Sequence, residues 1–295
     1  MKQNLKSLRD LVERGEALTW LTCYDFSLAS ALNQTDLDMI LVGDSGGMVS
    51  LGYQDTVPVT MEEMIILTKA VRRGATDKFI VGDMPKGSYE ISDRDAIQNA
   101  LRFVKEGGCD AVKLEGAGPM TQRVNAISNS GIPVIGHIGL TPQSSATFGG
   151  YRVVGKSKEE EDRLLGDAIS LEEAGAFGVL LEAVPPNVSR TITESVNFLT
   201  FGIGAGQFTD GQLLILHDLL GLYPNFRPKF AKCYVPEALE ELLAELNQVE
   251  DLVKHGRASR NDGVFRLTVI AVNRYINEVK KRTFPTEEYS YLPKI

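Results

Sequence analysis

An α/β barrel of parallel strands alternating with helices is predicted by three features of the chain. Short apolar runs recur, rich in Val, Ile and Leu and without clean alternation. Strands buried on both faces read this way. Segments of helical periodicity with normal punctuation separate most of the runs. Eight such runs fall within about 220 residues, which suits a closed (β/α)8 TIM barrel with right-handed crossovers better than an open sheet.

In chain order, residues 1–17 alternate charged and apolar side chains at helical spacing and predict an N-terminal helix. The strands are expected at 18–25, 39–44, 79–85, 111–116, 133–139, 178–184, 199–205 and 213–218. Between them, 59–73 carries the cap residue Thr60 with Glu62 and Glu63 in its first turn. A helix over 93–106 is opened by Ser92 or Asp93 and closed by Gly107-Gly108, and one over 159–174 stops at Gly175. These are ordinary start and stop signals. The last two strands leave too little room for a full helix, so a short connection is expected there. Beyond the barrel, 236–251 reads as an acidic amphipathic helix, 254–262 as a polar stretch and 264–281 as a second helix. The whole chain, 1–295, reads as one barrel domain with 235–295 as a C-terminal helical extension packed on it.

Composition removes several classes of function. The chain has 295 residues, 43% hydrophobic and 24% charged, as a soluble globular domain has. Its net charge of −8 argues against a nucleic-acid partner, which asks for a basic face. An anionic substrate must therefore be attracted locally, by a metal or a placed cation. The thiols Cys23, Cys109 and Cys233 lack metal-site or disulfide spacing and read as reduced cysteines. With no signal-peptide pattern and no run of about 18 apolar residues, a cytoplasmic protein with no membrane partner is expected.

Polar residues recur at the C-terminal ends of the strands, where barrels of this type build their sites. They are Tyr24-Asp25, Asp44-Ser45, Asp83, Lys113 with Glu115, His137, Glu182 and His217-Asp218. A lone Asp after a strand is usually a helix cap; this many would converge on one mouth. Asp44, Asp83 and Glu115 stand on three adjacent strands. Either a hard divalent cation such as Mg²⁺ relieves their repulsion, or Lys113 and nearby arginines hold them in structural ion pairs. Lys113 and Glu115 share one side of their strand. His137 reads as a core histidine or a functional one, and the neighbouring carboxylates favour the second. Glu182 lies in an apolar strand, where burial is expected to raise its pKa and suit it to act as a general base. The long connection 141–156 reads as a loop that closes over substrate or as an ordered surface loop. The glycines of 202–206 are similar to a phosphate-cradling loop, but no clear helix follows, and close approach of a ligand or neighbouring strand explains them as well.

The motifs VGDSGGM (42–48), GDMP (82–85), VKLEG (112–116), GHIGLTPQ (136–143), FGGY (148–151), GIGAG (202–206), DGQ (210–212), HDLLG (217–221) and PKF (228–230) come in an order that resembles the ketopantoate hydroxymethyltransferases. The resemblance runs from about residue 18 to 234 and resumes at 275–291. It implies one-carbon transfer from 5,10-methylenetetrahydrofolate to 3-methyl-2-oxobutanoate, giving 2-dehydropantoate on the way to pantothenate. By motif, Asp44 and Asp83 match the Mg²⁺ ligands, with Glu115 as a third metal-site carboxylate acting directly or through water. Asp44, Ser45, Asp83 and Lys113 match the contacts to the keto acid, His137 a residue near the developing enolate, and Glu182 the proton acceptor. The family implies a homo-oligomer, rings of five paired into a decamer. The chain departs from the family pattern at Gly46, Lys86, Phe201 and Tyr289 and in the block 235–262. A Mg²⁺-dependent keto-acid lyase of the same superfamily is the alternative, although the Lys-x-Cys-Gly-His loop such lyases carry is missing.

Overall fold

The computed structural model describes residues 2–144, 150–253 and 263–292. The polar stretch 254–262 and two residues of the FGGY motif, Phe148 and Gly149, lie outside the described residues. Helix α1 (Leu5–Glu13) opens the chain with a reciprocal cap: the Asn4 side chain accepts from the Ser7 amide, and Ser7 Oγ accepts from the Asn4 amide. The barrel follows as β1 (Leu18–Thr22), α2 (Phe26–Asn33), β2 (Met39–Val42), the single turn α3 (Gly46–Val49), α4 (Met61–Gly74), β3 (Phe79–Asp83) and α5 (Asp93–Arg102). It continues as β4 (Ala111–Glu115), α6 (Pro119–Asn129), β5 (Val134–Gly139), α7 (Lys158–Glu173), β6 (Gly178–Glu182), α8 (Pro186–Ser195), β7 (Leu199–Ile203) and β8 (Gly211–Leu214). The short α9 (Leu216–Leu219) leads to α10 (Val235–Val253) and α11 (Val264–Lys280).

All eight strands are parallel and hydrogen-bond in chain order, and β8 returns to pair with β1. The expected (β/α)8 barrel is thus present. Nearly every strand residue is buried, because helices cover one face and the barrel interior the other. The interior carries large side chains such as Trp20 and Phe201, whose rings meet edge-on at 5.0 Å. Phe201, a departure from the family pattern, is thereby explained as barrel filling.

Several boundaries differ from the sequence expectation. The strands end earlier, because polar residues at the mouth turn the chain outward. Asp25 proves to be the cap of α2, accepting from the Leu28 amide. The predicted last strand begins instead at Gly211 and ends at Leu214, so His217 and Asp218 sit on α9 rather than on a strand. The predicted helix over 93–106 stops at Arg102 and widens into a π turn over Phe103–Gly107. Phe103 fills the space over Gly82, where a Cβ would come within 2.3 Å of its ring. Helices α2, α6 and α8 had no clear sequence signal. They are short and rich in Ser, Thr and Asn, and packing rather than propensity holds them.

The C-terminal extension is tied to the barrel. Helix α11 packs on α2 and β1, and Tyr275 enters the barrel wall fully buried. Its hydroxyl donates to Gln212 O at 2.6 Å and Trp20 O at 3.2 Å. Tyr275→Phe leaves those carbonyls one partner short and is expected to cost about 1–2 kcal/mol. Urea unfolding checks this, and an unchanged midpoint would show that the hydroxyl contributes nothing.

Candidate active site

One cavity of about 550 Å³ opens at the C-terminal mouth of the barrel. Its floor is charged. Asp44 and Ser45 follow β2, Asp83 ends β3, Lys113 and Glu115 lie on β4, His137 on β5 and Glu182 at the end of β6. The structure therefore brings all of these sequence-selected residues to one place. Parallel pairing in register does this: Asp83 stands beside Lys113, Glu115 beside His137 and Gly139 beside Glu182.

Contacts within the floor are specific. Lys113 Nζ lies 2.7 Å from Asp83 Oδ1, both side chains almost fully buried. The other Asp83 oxygen accepts from the Asp44 amide at 3.1 Å. Burial, opposed by Lys113 and reinforced by the charge of Asp44, pushes the Asp83 carboxyl up to about 8. Burial also raises Glu115. Lys113 remains protonated: the surrounding carboxylates Asp83, Glu115 and Asp44 outweigh the opposing effect of burial.

His137 bridges two carboxylates. Its Nδ1 lies 3.4 Å from Glu115 Oε1 and 3.3 Å from Lys113 Nζ, and its Nε2 lies 3.2 Å from Glu182 Oε2. The Nε2 contact is one of charge and proximity, because its alignment misses that of a hydrogen bond. Burial and Lys113 disfavour the imidazolium, but the two carboxylates prevail and hold it up to about 9.

Glu182 is less enclosed than its apolar neighbours led us to expect, with 17% of its side chain exposed to the cavity. Its backbone is pinned instead, the Leu140 amide donating to Glu182 O at 2.8 Å. Gly139, at φ +94°, permits that approach, since a Cβ there would meet the same carbonyl at 2.3 Å.

Sequence reasoning quoted Gln143 within a motif but gave it no role. It is buried, and it binds two carboxylates of the floor. Its amide donates to Glu115 Oε2 at 3.0 Å and its Nε2 to Asp44 Oδ2 at 2.9 Å, while its Oε1 accepts from Tyr89 OH at 2.7 Å. Tyr24, likewise unassigned, meets Ser45 Oγ at 2.8 Å. It also explains Gly46, where a Cβ would come within 2.6 Å of the Tyr24 ring. The early signal for Gln143 was its place in a motif, and for Tyr24 its place at the end of a predicted strand.

The glycine run 202–206 is no phosphate cradle. Cβ atoms at Gly204 and Gly206 would strike Phe230 and Pro186, so these glycines serve close packing of the chain on itself. From the long connection, Tyr151, Arg152 and Lys156 line the cavity. Lys86, another departure from the family pattern, pairs with Glu90 at 3.1 Å.

No group of three His, Cys, Asp or Glu side chains among the described residues stands in a ready coordination shell. Lys113 and His137 sit between the carboxylates and hold them apart. Even so, Asp83 lies against the Asp44 amide, and the charge of Asp44, which helps to raise the Asp83 carboxyl, is what a divalent cation would relieve. The residues fit such an ion.

A closed (β/α)8 barrel with buried carboxylates, a lysine and a histidine around one mouth cavity defines an enzyme of the barrel class. Among solved structures, the fold is similar to phosphoenolpyruvate phosphomutase from Streptomyces platensis subsp. rosaceus. That match has a TM-score of 0.58, 16% identity, and covers 94% of this chain and 98% of the other. The family model for ketopantoate hydroxymethyltransferase matches residues 2–287. A 3-methyl-2-oxobutanoate hydroxymethyltransferase from Moorella thermoacetica is 46% identical over 287 residues, 97% of each chain. One from Desulfotalea psychrophila is 44% identical over 291 residues, 99% of this chain and 95% of the relative. The chain belongs to the ketopantoate hydroxymethyltransferase family.

Proposed function

We infer that this chain catalyses the reaction its relatives are named for, hydroxymethyl transfer to 3-methyl-2-oxobutanoate. The one-carbon donor in this reading is 5,10-methylenetetrahydrofolate, and the product is 2-dehydropantoate for pantothenate synthesis. The observation that carries it is the charged floor of Asp44, Asp83, Lys113, Glu115, His137 and Glu182 in one cavity of a chain belonging to this family. A keto-acid lyase is not favoured: the lyase and mutase neighbours share the fold alone, at 13–16% identity.

In this reading Asp44 and Asp83 would hold Mg²⁺, with Glu115 as a third metal-site carboxylate, its two oxygens facing His137 and the Gln143 amide. Mg²⁺, when bound, supplies positive charge for the keto and carboxylate oxygens of the substrate. Ser45, beside Asp44, donates to the same oxygens. Lys113 adds a fixed ammonium where negative charge develops on the keto oxygen. Glu182 removes the C3 proton, and the electron pair passes to the keto oxygen as the enolate forms. His137, protonated between Glu115 and Glu182, orients the Glu182 carboxylate and faces the enolate. C3 then bonds to the transferred carbon, whose two carbon–nitrogen bonds to the folate break; water supplies the product hydroxyl, and tetrahydrofolate leaves with the proton taken by Glu182 and the second proton of the water.

The chain acts as one barrel domain, 1–295, with 235–295 as its helical extension. We assign it to the cytoplasm, in keeping with its free thiols; no described helix is long and apolar enough to cross a membrane. A homo-oligomer, the decamer of the family, would cover exposed apolar side chains such as Ile66 and Ile91.

Proton NMR of 3-methyl-2-oxobutanoate in D₂O tests the reading. Loss of the C3 proton signal on adding protein, dependent on Mg²⁺ and needing no folate, is the expected result. If the signal persists even with tetrahydrofolate present, the enolate reading is wrong.

A further inference from the structure

The cavity has two unlike walls. The strand ends from β2 to β6 supply its charged floor. Opposite, β7, β8 and the segment around 226–230 supply Ile203, Leu213, Ile215, Phe226 and Phe230, joined by Tyr291 from the tail. This second wall is broad and apolar, and 550 Å³ is far more than a five-carbon keto acid fills.

One charged group lies on it among the described residues. Asp218, on α9, is 6% exposed and lines the cavity. Its carboxylate takes no hydrogen bond and no ion pair from any described residue. The charge that opposes its rise is that of Arg227, which is exposed on the surface. Burial leaves the carboxyl raised to about 6, so it still ionises at neutral pH. A buried carboxylate without a partner is costly unless a ligand supplies the donors. No step assigned to the charged floor uses it.

We propose that Asp218 is the specificity residue for the one-carbon donor, accepting from the adjacent N–H groups of its 2-amino-pyrimidinone edge while the flat ring lies against the apolar wall. The proposal rests on the folate-dependent reading above. Two parallel N–H donors facing one carboxylate form the bidentate pattern that a carboxylate favours. Seated there, the ring places its transferable carbon toward Glu182 and the charged floor, where the enolate forms. Asp218 then discriminates between reduced pterins that carry the 2-amino group and analogues that lack it.

The test is calorimetric binding of tetrahydrofolate and of its 2-desamino analogue to the wild-type chain and to Asp218→Asn, with KM measured for both substrates. The wild type is expected to prefer tetrahydrofolate about ten- to hundredfold, the range of a hydrogen bond to a charged group. Asp218→Asn is expected to lose that preference and to raise KM for methylenetetrahydrofolate by a similar factor. KM for the keto acid is expected to stay within about twofold. A residue that merely supports α9 would not change selectivity between the two pterins. Equal binding of both pterins by the wild type overturns the proposal without recourse to any variant, and so does a variant that keeps the preference. A wild-type chain that exchanges the C3 proton but neither binds tetrahydrofolate nor accepts its methylene form overturns the donor assignment itself, and this proposal with it.

Discussion

Glu182→Gln is expected to slow C3 proton exchange of 3-methyl-2-oxobutanoate by about 10²- to 10⁴-fold, the range of a positioned general base. The amide has the shape of the carboxylate but cannot hold the abstracted proton. Affinity for the keto acid should change little, because Lys113, Asp83 and Asp44 on the far strands remain paired as before. The backbone contact from the Leu140 amide also survives the change. Exchange by the variant at the native rate in D₂O would remove Glu182 from the role of base.

Lys113→Met is expected to damage both chemistry and fold. Its ammonium is the one cation within hydrogen-bonding distance of Asp83 among the described residues, and both side chains are buried. Where Asp83 is ionised, removing its partner costs about 3–5 kcal/mol, which lowers the melting temperature by roughly 5–10 °C for a domain of this size. The rate of transfer should fall about 10²- to 10³-fold, as when an oxyanion donor is lost. The stability loss has a pH signature. Asp83 carries a folded-state pKa of about 8, above that of an unfolded aspartate. Its neutral form therefore favours the fold at low pH, and that contribution disappears as pH rises through about 8. Without Lys113 the ionised form is poorer still, so the gap between variant and wild type should widen from pH 6 to pH 9. Melting curves at the two pH values check this; a gap that is equal or narrower at pH 9 would mean that Asp83 is not the group left unpaired.

The apolar runs carried most of the barrel. Strands buried on both faces need Val, Ile and Leu nearly throughout, so β2, β3, β4 and β6 stand out against polar helices. Capped helices such as α4, with Thr60 and Glu63 in a reciprocal pair, were equally legible, because capping is a local interaction. Helices α2, α6 and α8 were not, because contacts with distant segments stabilise them. β8 was displaced for a related reason. Gly211 and Gln212 pair with Leu18 and Thr19 of β1, nearly two hundred residues away in the chain, and nothing local marks them as strand.

At the site, the sequence by itself determined which charged types stand at which strand ends, since alternation along a strand fixes which side chains face the barrel. Asp44, Asp83, Lys113, Glu115, His137 and Glu182 were selected by their place at predicted strand ends, and alternation put Lys113 and Glu115 on one side of β4. Only the tertiary structure decided how they pair. Whether Lys113 turns to Asp83, or His137 bridges Glu115 and Glu182, depends on register between residues 22 to 45 positions apart in the chain. Gln143, buried against Asp44 and Glu115, and Asp218 on the apolar wall follow the same rule. Each belongs to a connection whose path is set by packing across the barrel, and chain spacing carries no record of distances across it.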